Sequence, residues 1–196
     1  MAWTDWFSTS LVSLAMLLGV ASAAPARADE PNLTMHRATV SADDGTGWHK
    51  AVSTKGAFEV LLPAPFNDFT VAGTDGNVGD YAIHTLGTET PDGLKLSVTE
   101  MPYTPKMTHA TLDEMLKTWT EDQFQKVSDL ERAKTGDEER VSLTVVDTVD
   151  NAAFIQYVRT PKALYTFVIE FRNWRRDEIK PIRDKMFASF RIRPAP

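Results

Sequence analysis

Residues Ala163 to Phe171 read Ala-Leu-Tyr-Thr-Phe-Val-Ile-Glu-Phe. Tyr165, Phe167, Ile169 and Phe171 alternate with Leu164, Thr166, Val168 and Glu170, so an extended strand sets four large side chains on one face. Burying each such side chain is worth about 1.5–3 kcal/mol, so the face must be covered. The residues that follow, Ile179, Ile182, Met186 and Phe190, are spaced to cover it from a helix. A sheet face roofed by a helix is the minimum the chain has to build.

The rest of the chain supplies more strands than helices. Trp48–Ser53 reads as a first strand, Thr54-Lys55-Gly56 as a tight turn, and Ala57–Leu62 as a second strand that Pro63-Ala64-Pro65 ends. Phe66–Ala72 is a short third strand and Gly73–Gly79 a turn cluster. Asp80–Thr88 and Leu94–Met101 form a hairpin around Glu89–Gly93. A helix is expected over Leu112–Val127, with Thr111 and Glu114 as a capping box and Leu112, Met115, Leu116, Trp119 and Val127 as its apolar stripe. Lys134–Glu139 reads as a charged turn. Val141–Asp147, Ala152–Arg159 and Leu164–Arg172 follow as an antiparallel meander. A second helix over Asp177–Ala188 carries Pro181 in about its first turn, and Ser189–Arg193 returns as a terminal strand. The expected fold is α+β, an antiparallel β-sheet of meander and hairpins flanked by two main α-helices, in one domain spanning 48–193.

Leu11–Ala24 is a continuous apolar run followed by Ala26-Arg27-Ala28, a small-x-small cleavage pattern. Residues 1–28 therefore read as a signal peptide, although residues 1–10 carry no Lys or Arg and Asp5 is negative. A comfortable transmembrane helix needs about 20 residues, more than this run supplies. The expectation is a periplasmic or secreted protein with no stable membrane insertion after cleavage. Residues 29–47 are polar and read as a mobile leader. Asn32-Leu33-Thr34 matches the glycosylation tripeptide, a coincidence beside a bacterial-looking signal. The chain has no cysteine, which excludes disulfides, thiolate metal sites, cysteine nucleophiles and a lipid anchor on cysteine. Its formal net charge of −6 disfavours nonspecific nucleic-acid binding and simple docking on anionic lipid.

Catalytic and metal-binding patterns are missing. His36, His49, His84 and His109 have no i, i+3 or i+4 spacing on an expected helix. His84 and His49 are the histidines that a site assembled in three dimensions would use, His84 together with acidic neighbours. Asp75–Asp80 resembles a calcium loop, but Asp80 stands where glycine belongs and Leu86 where the bidentate glutamate belongs, which leaves an Asx/Gly turn. No nucleophile elbow, Ser-x-x-Lys pair or phosphate loop occurs after the leader. Asp137-Glu138-Glu139 reads as a solvated turn. One charge cluster stands out: Arg172, Arg175, Arg176 and Arg183 around Trp174, a candidate patch for an anion or an acidic partner. The alternative is that these arginines pair with Asp177, Glu178 and Asp184. No cofactor is expected.

Trp48–Pro63 carries a Trp, a short strand, a Gly turn, a Phe-containing strand and a Pro. The carboxyl end has Leu164-Tyr165 in an aromatic strand, a helix, and then Phe187-Ala188-Ser189-Phe190-Arg191-Ile192. In both ends the chain resembles exported bacterial members of the PsbP-like superfamily, the Mog/PsbP/DcrB type, across about residues 48–193. The resemblance implies an antiparallel sheet flanked by helices and a binding or assembly role, with no catalytic residues to carry over. Function is thus expected to be an exported, non-catalytic module that binds a protein or envelope component. A small-ligand carrier, with a pocket between sheet and helix lined by Trp119, Tyr165 and Phe167, is one alternative. An enzyme with a site not visible in sequence is the other.

Overall fold

The structure, a computed structural model, describes residues 31–37, 45–76, 78–107, 111–120 and 125–194. Eleven strands and two α-helices appear among them, in the order β1 (Asn32–Arg37), β2 (His49–Val52), β3 (Phe58–Leu62), β4 (Asn67–Asp75), β5 (Gly79–Glu89), β6 (Lys95–Pro102), α1 (Leu112–Thr120), β7 (Gln125–Thr135), β8 (Glu138–Asp147), β9 (Asn151–Arg159), β10 (Ala163–Arg172), α2 (Arg176–Ser189) and β11 (Arg191–Ile192). A single turn of 3-10 helix, Asn173–Arg175, joins β10 to α2. The large sheet is antiparallel with strand order β1-β4-β5-β6-β10-β9-β8-β7, and β11-β3-β2 form a small second sheet.

The aromatic ribbon lies at the centre of the large sheet, between β6 and β9. Tyr165, Phe167, Ile169 and Phe171 are buried in one core with Ile179, Met186 and Phe190, while Ile182 and Phe187 pack at its margin. Phe167 is fully enclosed, with its ring edge-on to Phe187 at 5.3 Å and to Phe190 at 4.8 Å between centroids. Edge-to-face contact lets the positive ring edge meet the negative ring face. Phe58, Val60 and Leu62 of β3 complete this core, so the small sheet and α2 share the work of covering one face.

The opposite face is buried too. Leu164 of β10, Val141 and Leu143 of β8, and Ile155 and Tyr157 of β9 form a second core with Leu112 and Leu116 of α1. The meander strands were expected to be half-buried. They have apolar residues on both faces because each face meets a helix. The α1 capping box forms as expected: the Thr111 backbone N–H donates to Glu114 Oε2 (2.7 Å), and the Glu114 N–H donates to Thr111 Oγ1 (3.2 Å).

Four expectations are corrected. The leader expected at 29–47 contains β1, which pairs antiparallel with β4 along Asn32↔Ala72 to Met35↔Phe69. The helix expected over Leu112–Val127 ends at Thr120. Val127 instead faces Val145 across β7 and β8, and Phe124 lies outside the described residues. The charged turn at Lys134–Glu139 is tighter than expected: Lys134 and Thr135 belong to β7, and Glu138 and Glu139 to β8. Pro181 is the sixth residue of α2, past the first turn, where it withholds a hydrogen bond from the carbonyl four residues earlier. Both missed strands, β1 and β7, are the edges of the sheet. Edge strands face water on one side and often carry charge, which hides the apolar alternation of a buried strand.

Candidate functional site

The expected patch sits where β10 leaves the sheet and α2 begins. The Asn173 backbone N–H donates to the Asp150 carbonyl and its side-chain amide to Asp150 Oδ1, both at 3.0 Å, which fixes the junction. Trp174 stands out from it with 76% of its surface exposed. The arginines do not converge beside it. Arg172 donates to Asn151 Oδ1 (2.6 Å). Arg175 is clamped by Asp92, from the β5–β6 loop, and by Glu178 (2.7 Å) one helical turn on. The two carboxylates, Glu178 first, raise the Arg175 pKa. The Thr90 hydroxyl and then Arg175 hold the Asp92 carboxyl below its ordinary range. Arg183 pairs with Asp184 and lies over the Phe154 ring at 4.8 Å.

Trp174 and Arg176 remain together. Arg176 reaches Asp129 only at 3.4 Å. Both line a groove of about 450 Å³ with Lys126, Ser128, Val146, Asn173 and Asp177. Of the five residues of the expected patch, Trp174 and Arg176 line this groove, while Arg172, Arg175 and Arg183 are engaged elsewhere. Lys126 and Ser128 of β7 form the facing wall, and sequence reasoning missed both because it placed no strand there.

The second feature is a polar row on the face of the large sheet that β3 and α2 cover. Thr70, His84, Glu100 and Tyr165 stand opposite one another in register across β4, β5, β6 and β10. His36 Nε2 and His84 Nδ1 both meet Thr70 Oγ1, at 2.7 and 2.9 Å. Tyr165 donates to Glu100 Oε1 (2.9 Å), and the Ala57 backbone N–H donates to Glu100 Oε2 (2.7 Å). A Cβ on Gly56 would lie 2.6 Å from Glu100 Oε2 and 2.7 Å from the Phe58 ring, so the turn before β3 approaches Glu100 as only glycine allows. Asp68, fully buried next to this row in β4, accepts from the Thr54 N–H (2.7 Å).

Burial is the largest influence on His84 and pulls its pKa below the ordinary 6.5; His36 and Lys55 act in the same direction, and Glu100 and Asp68 oppose it. Burial, with help from Glu100, pushes the Tyr165 phenol up. The row gives His84 the acidic neighbour a catalytic site would need, but that neighbour is occupied: Glu100 spends its oxygens on Tyr165 and Ala57. His49 lies buried in β2, on the other sheet. Among the described residues no group of three or more His, Asp or Glu side chains is arranged to hold a metal ion.

Solved structures similar to the chain include one from a cyanobacterium. That structure is the cyanobacterial PsbP, CyanoP, from Synechocystis sp. PCC 6803, with 18% sequence identity, a TM-score of 0.48, and coverage of 78% of this chain and 98% of CyanoP. No protein-family model matches the chain. No curated protein matches it in sequence.

The carrier pocket expected from Trp119, Tyr165 and Phe167 is not assembled. Trp119 packs with the α1 core and donates to the Tyr157 hydroxyl (2.9 Å), whereas Tyr165 and Phe167 point to the opposite face beneath α2. A strand sends residues of odd and even number to opposite sides, and helices on both sides keep those groups apart. On the α1 face a second groove of about 450 Å³ runs past Arg132, Lys134 and Arg159. Its cations are matched internally, Arg132 by Asp113 (2.6 Å), and Lys134 and Arg159 by Glu139 (2.9 and 2.5 Å).

Proposed function

We propose that this chain is an exported, non-catalytic PsbP-like module of the bacterial cell envelope, and that it docks a protein or envelope component through Trp174 and the groove beside it. The observation that carries the reading is the exposed indole of Trp174, held at a hydrogen-bonded junction next to a groove of about 450 Å³ with Arg176 and Lys126 on its walls. Tryptophan and arginine are the residues most enriched among those that dominate binding energy at interfaces. Export rests on the Leu11–Ala24 run and the Ala26-Arg27-Ala28 pattern. A non-catalytic role is supported by the engagement of Glu100 and His84 in bonds that tie strands together.

Affinity capture from envelope extract tests the reading, with wild type and Trp174→Ala compared side by side. The expected result is a discrete species retained by wild type and lost from a variant that melts at the same temperature. Capture of the same species at the same level by both proteins would overturn the assignment of Trp174. Repeated failure of wild type to retain any species would overturn the binding role.

A further inference from the structure

Among the described residues the large sheet ends in two unpaired edge strands, β1 and β7, and they are built differently. At the β7 edge, Lys126, Asp129, Glu131, Arg132 and Lys134 supply charge. A bulge between Ser128 and Glu131, with Asp129 at φ 51°, breaks the ladder. These are devices that keep an edge from pairing with another chain. Antiparallel pairing sets residues of the same face against each other. A β7–β7 pair centred on Ala133 would therefore set Arg132 against Lys134, and one centred on Arg132 would set arginine against itself.

The β1 edge carries less of this protection: its charged residue, Arg37, stands at its end, beyond the ladder irregularity. Asn32-Leu33-Thr34-Met35-His36 includes no Asp, Glu, Lys, Arg or Pro, and its ladder irregularity falls after Met35. Leu33 and Met35 share one face and are 40% and 45% exposed, large apolar side chains left to water on a strand with an open side.

We propose that the β1 edge pairs with the β1 edge of a second copy of this chain, antiparallel about a two-fold axis through Thr34. This register sets Thr34 against Thr34, Leu33 against Met35 and Asn32 against His36. Hydroxyl meets hydroxyl, apolar meets apolar, and amide meets imidazole, with every pair on a common face. No like charges oppose one another, because the partner of His36 is an amide. Each copy carries a formal charge of −6, so two copies repel at long range, and the stretch Asn32–His36, free of acidic side chains, is where they meet at least cost. The large sheets of both copies then run on as one. The proposal is separate from the Trp174 groove, which lies by β7 at the far end of the sheet.

The chain has no cysteine, so Thr34→Cys gives it a single thiol at the axis. Directly opposed residues of an antiparallel pair have Cα atoms about 4.5–5.5 Å apart, within the range a disulfide accepts. Under a mild oxidant the variant, made from the full chain, should form a covalent dimer rapidly. Ile192→Cys, exposed on the small sheet, should not. In sedimentation, wild type should shift from monomer to dimer with concentration, and more readily as salt screens the net charge. Thr34→Lys sets a charge against itself and should weaken dimerisation by about ten-fold or more. A wild type that stays monomeric at every concentration, or equal crosslinking at positions 34 and 192, would overturn the proposal. If Thr34→Lys failed to fold, the crosslinking comparison would still decide.

Discussion

Phe167 is the residue on which the main core closes, since its ring meets both Phe187 and Phe190 and none of its surface is exposed. Truncation to alanine empties that position and should cost about 3–5 kcal/mol, read as a large drop in the denaturation midpoint. An unchanged midpoint would mean the ribbon faces elsewhere. His84 makes a second prediction, about pH. Its folded pKa lies below the ordinary 6.5, so below that value the unfolded chain takes up more protons there than the folded one. The stability tied to neutral His84 is complete above about pH 6.5 and is lost as pH falls through that value towards the lowered folded pKa. His36, Lys55, Glu100 and Asp68 are the charged or titratable neighbours that set the size of the effect. His84→Asn should flatten the melting-temperature profile between pH 7.5 and 5 relative to wild type, on a scale fixed by the ordinary histidine pKa of about 6.5. Profiles that fall in parallel would assign the acid sensitivity to another group.

Among the elements, α1 is short, and its first turn depends on the reciprocal bonds between Thr111 and Glu114. Thr111→Ala should cost about 1 kcal/mol, measurable as a lower melting temperature with the sheet unaltered by circular dichroism. The sequence announced this helix start because a capping box is a local pattern. It also announced the meander and α2, whose apolar side chains recur at the period of their own element. It did not announce the helix end, since Val127 suits an apolar stripe as well as a strand and only pairing with Val145 decides between them. β1 was illegible for a related reason: six residues with two apolar side chains become a strand only because β4 offers them a ladder. The groove beside Trp174 was half legible. Trp174 and Arg176 are neighbours in sequence, but Lys126 reaches them from a strand that local pattern did not reveal. Asp92, more than eighty positions from Arg175 in sequence, removed that arginine from the patch by a loop contact no spacing encodes.

At the scale of the whole molecule, the described residues leave the two edge strands of the large sheet and the exposed indole of Trp174 open to other molecules. Under the covered face, His36, Thr70 and His84 tie β1, β4 and β5 together, and Glu100 and Tyr165 tie β6 to β10. Export belongs to this scale too. Amino-terminal sequencing of the protein recovered from the periplasm or medium should begin at Asp29, three residues before the sheet takes up the chain at Asn32. Recovery of the chain with residues 1–28 intact would contradict that assignment. The most direct test of the docking reading is photocrosslinking in cells making the full chain, with a photoreactive residue at position 174 and, for comparison, at position 149, where Val149 is 67% exposed. A discrete adduct formed from position 174 and not from 149 is the result expected of a docking anchor. The same faint, diffuse adducts from both positions would contradict it.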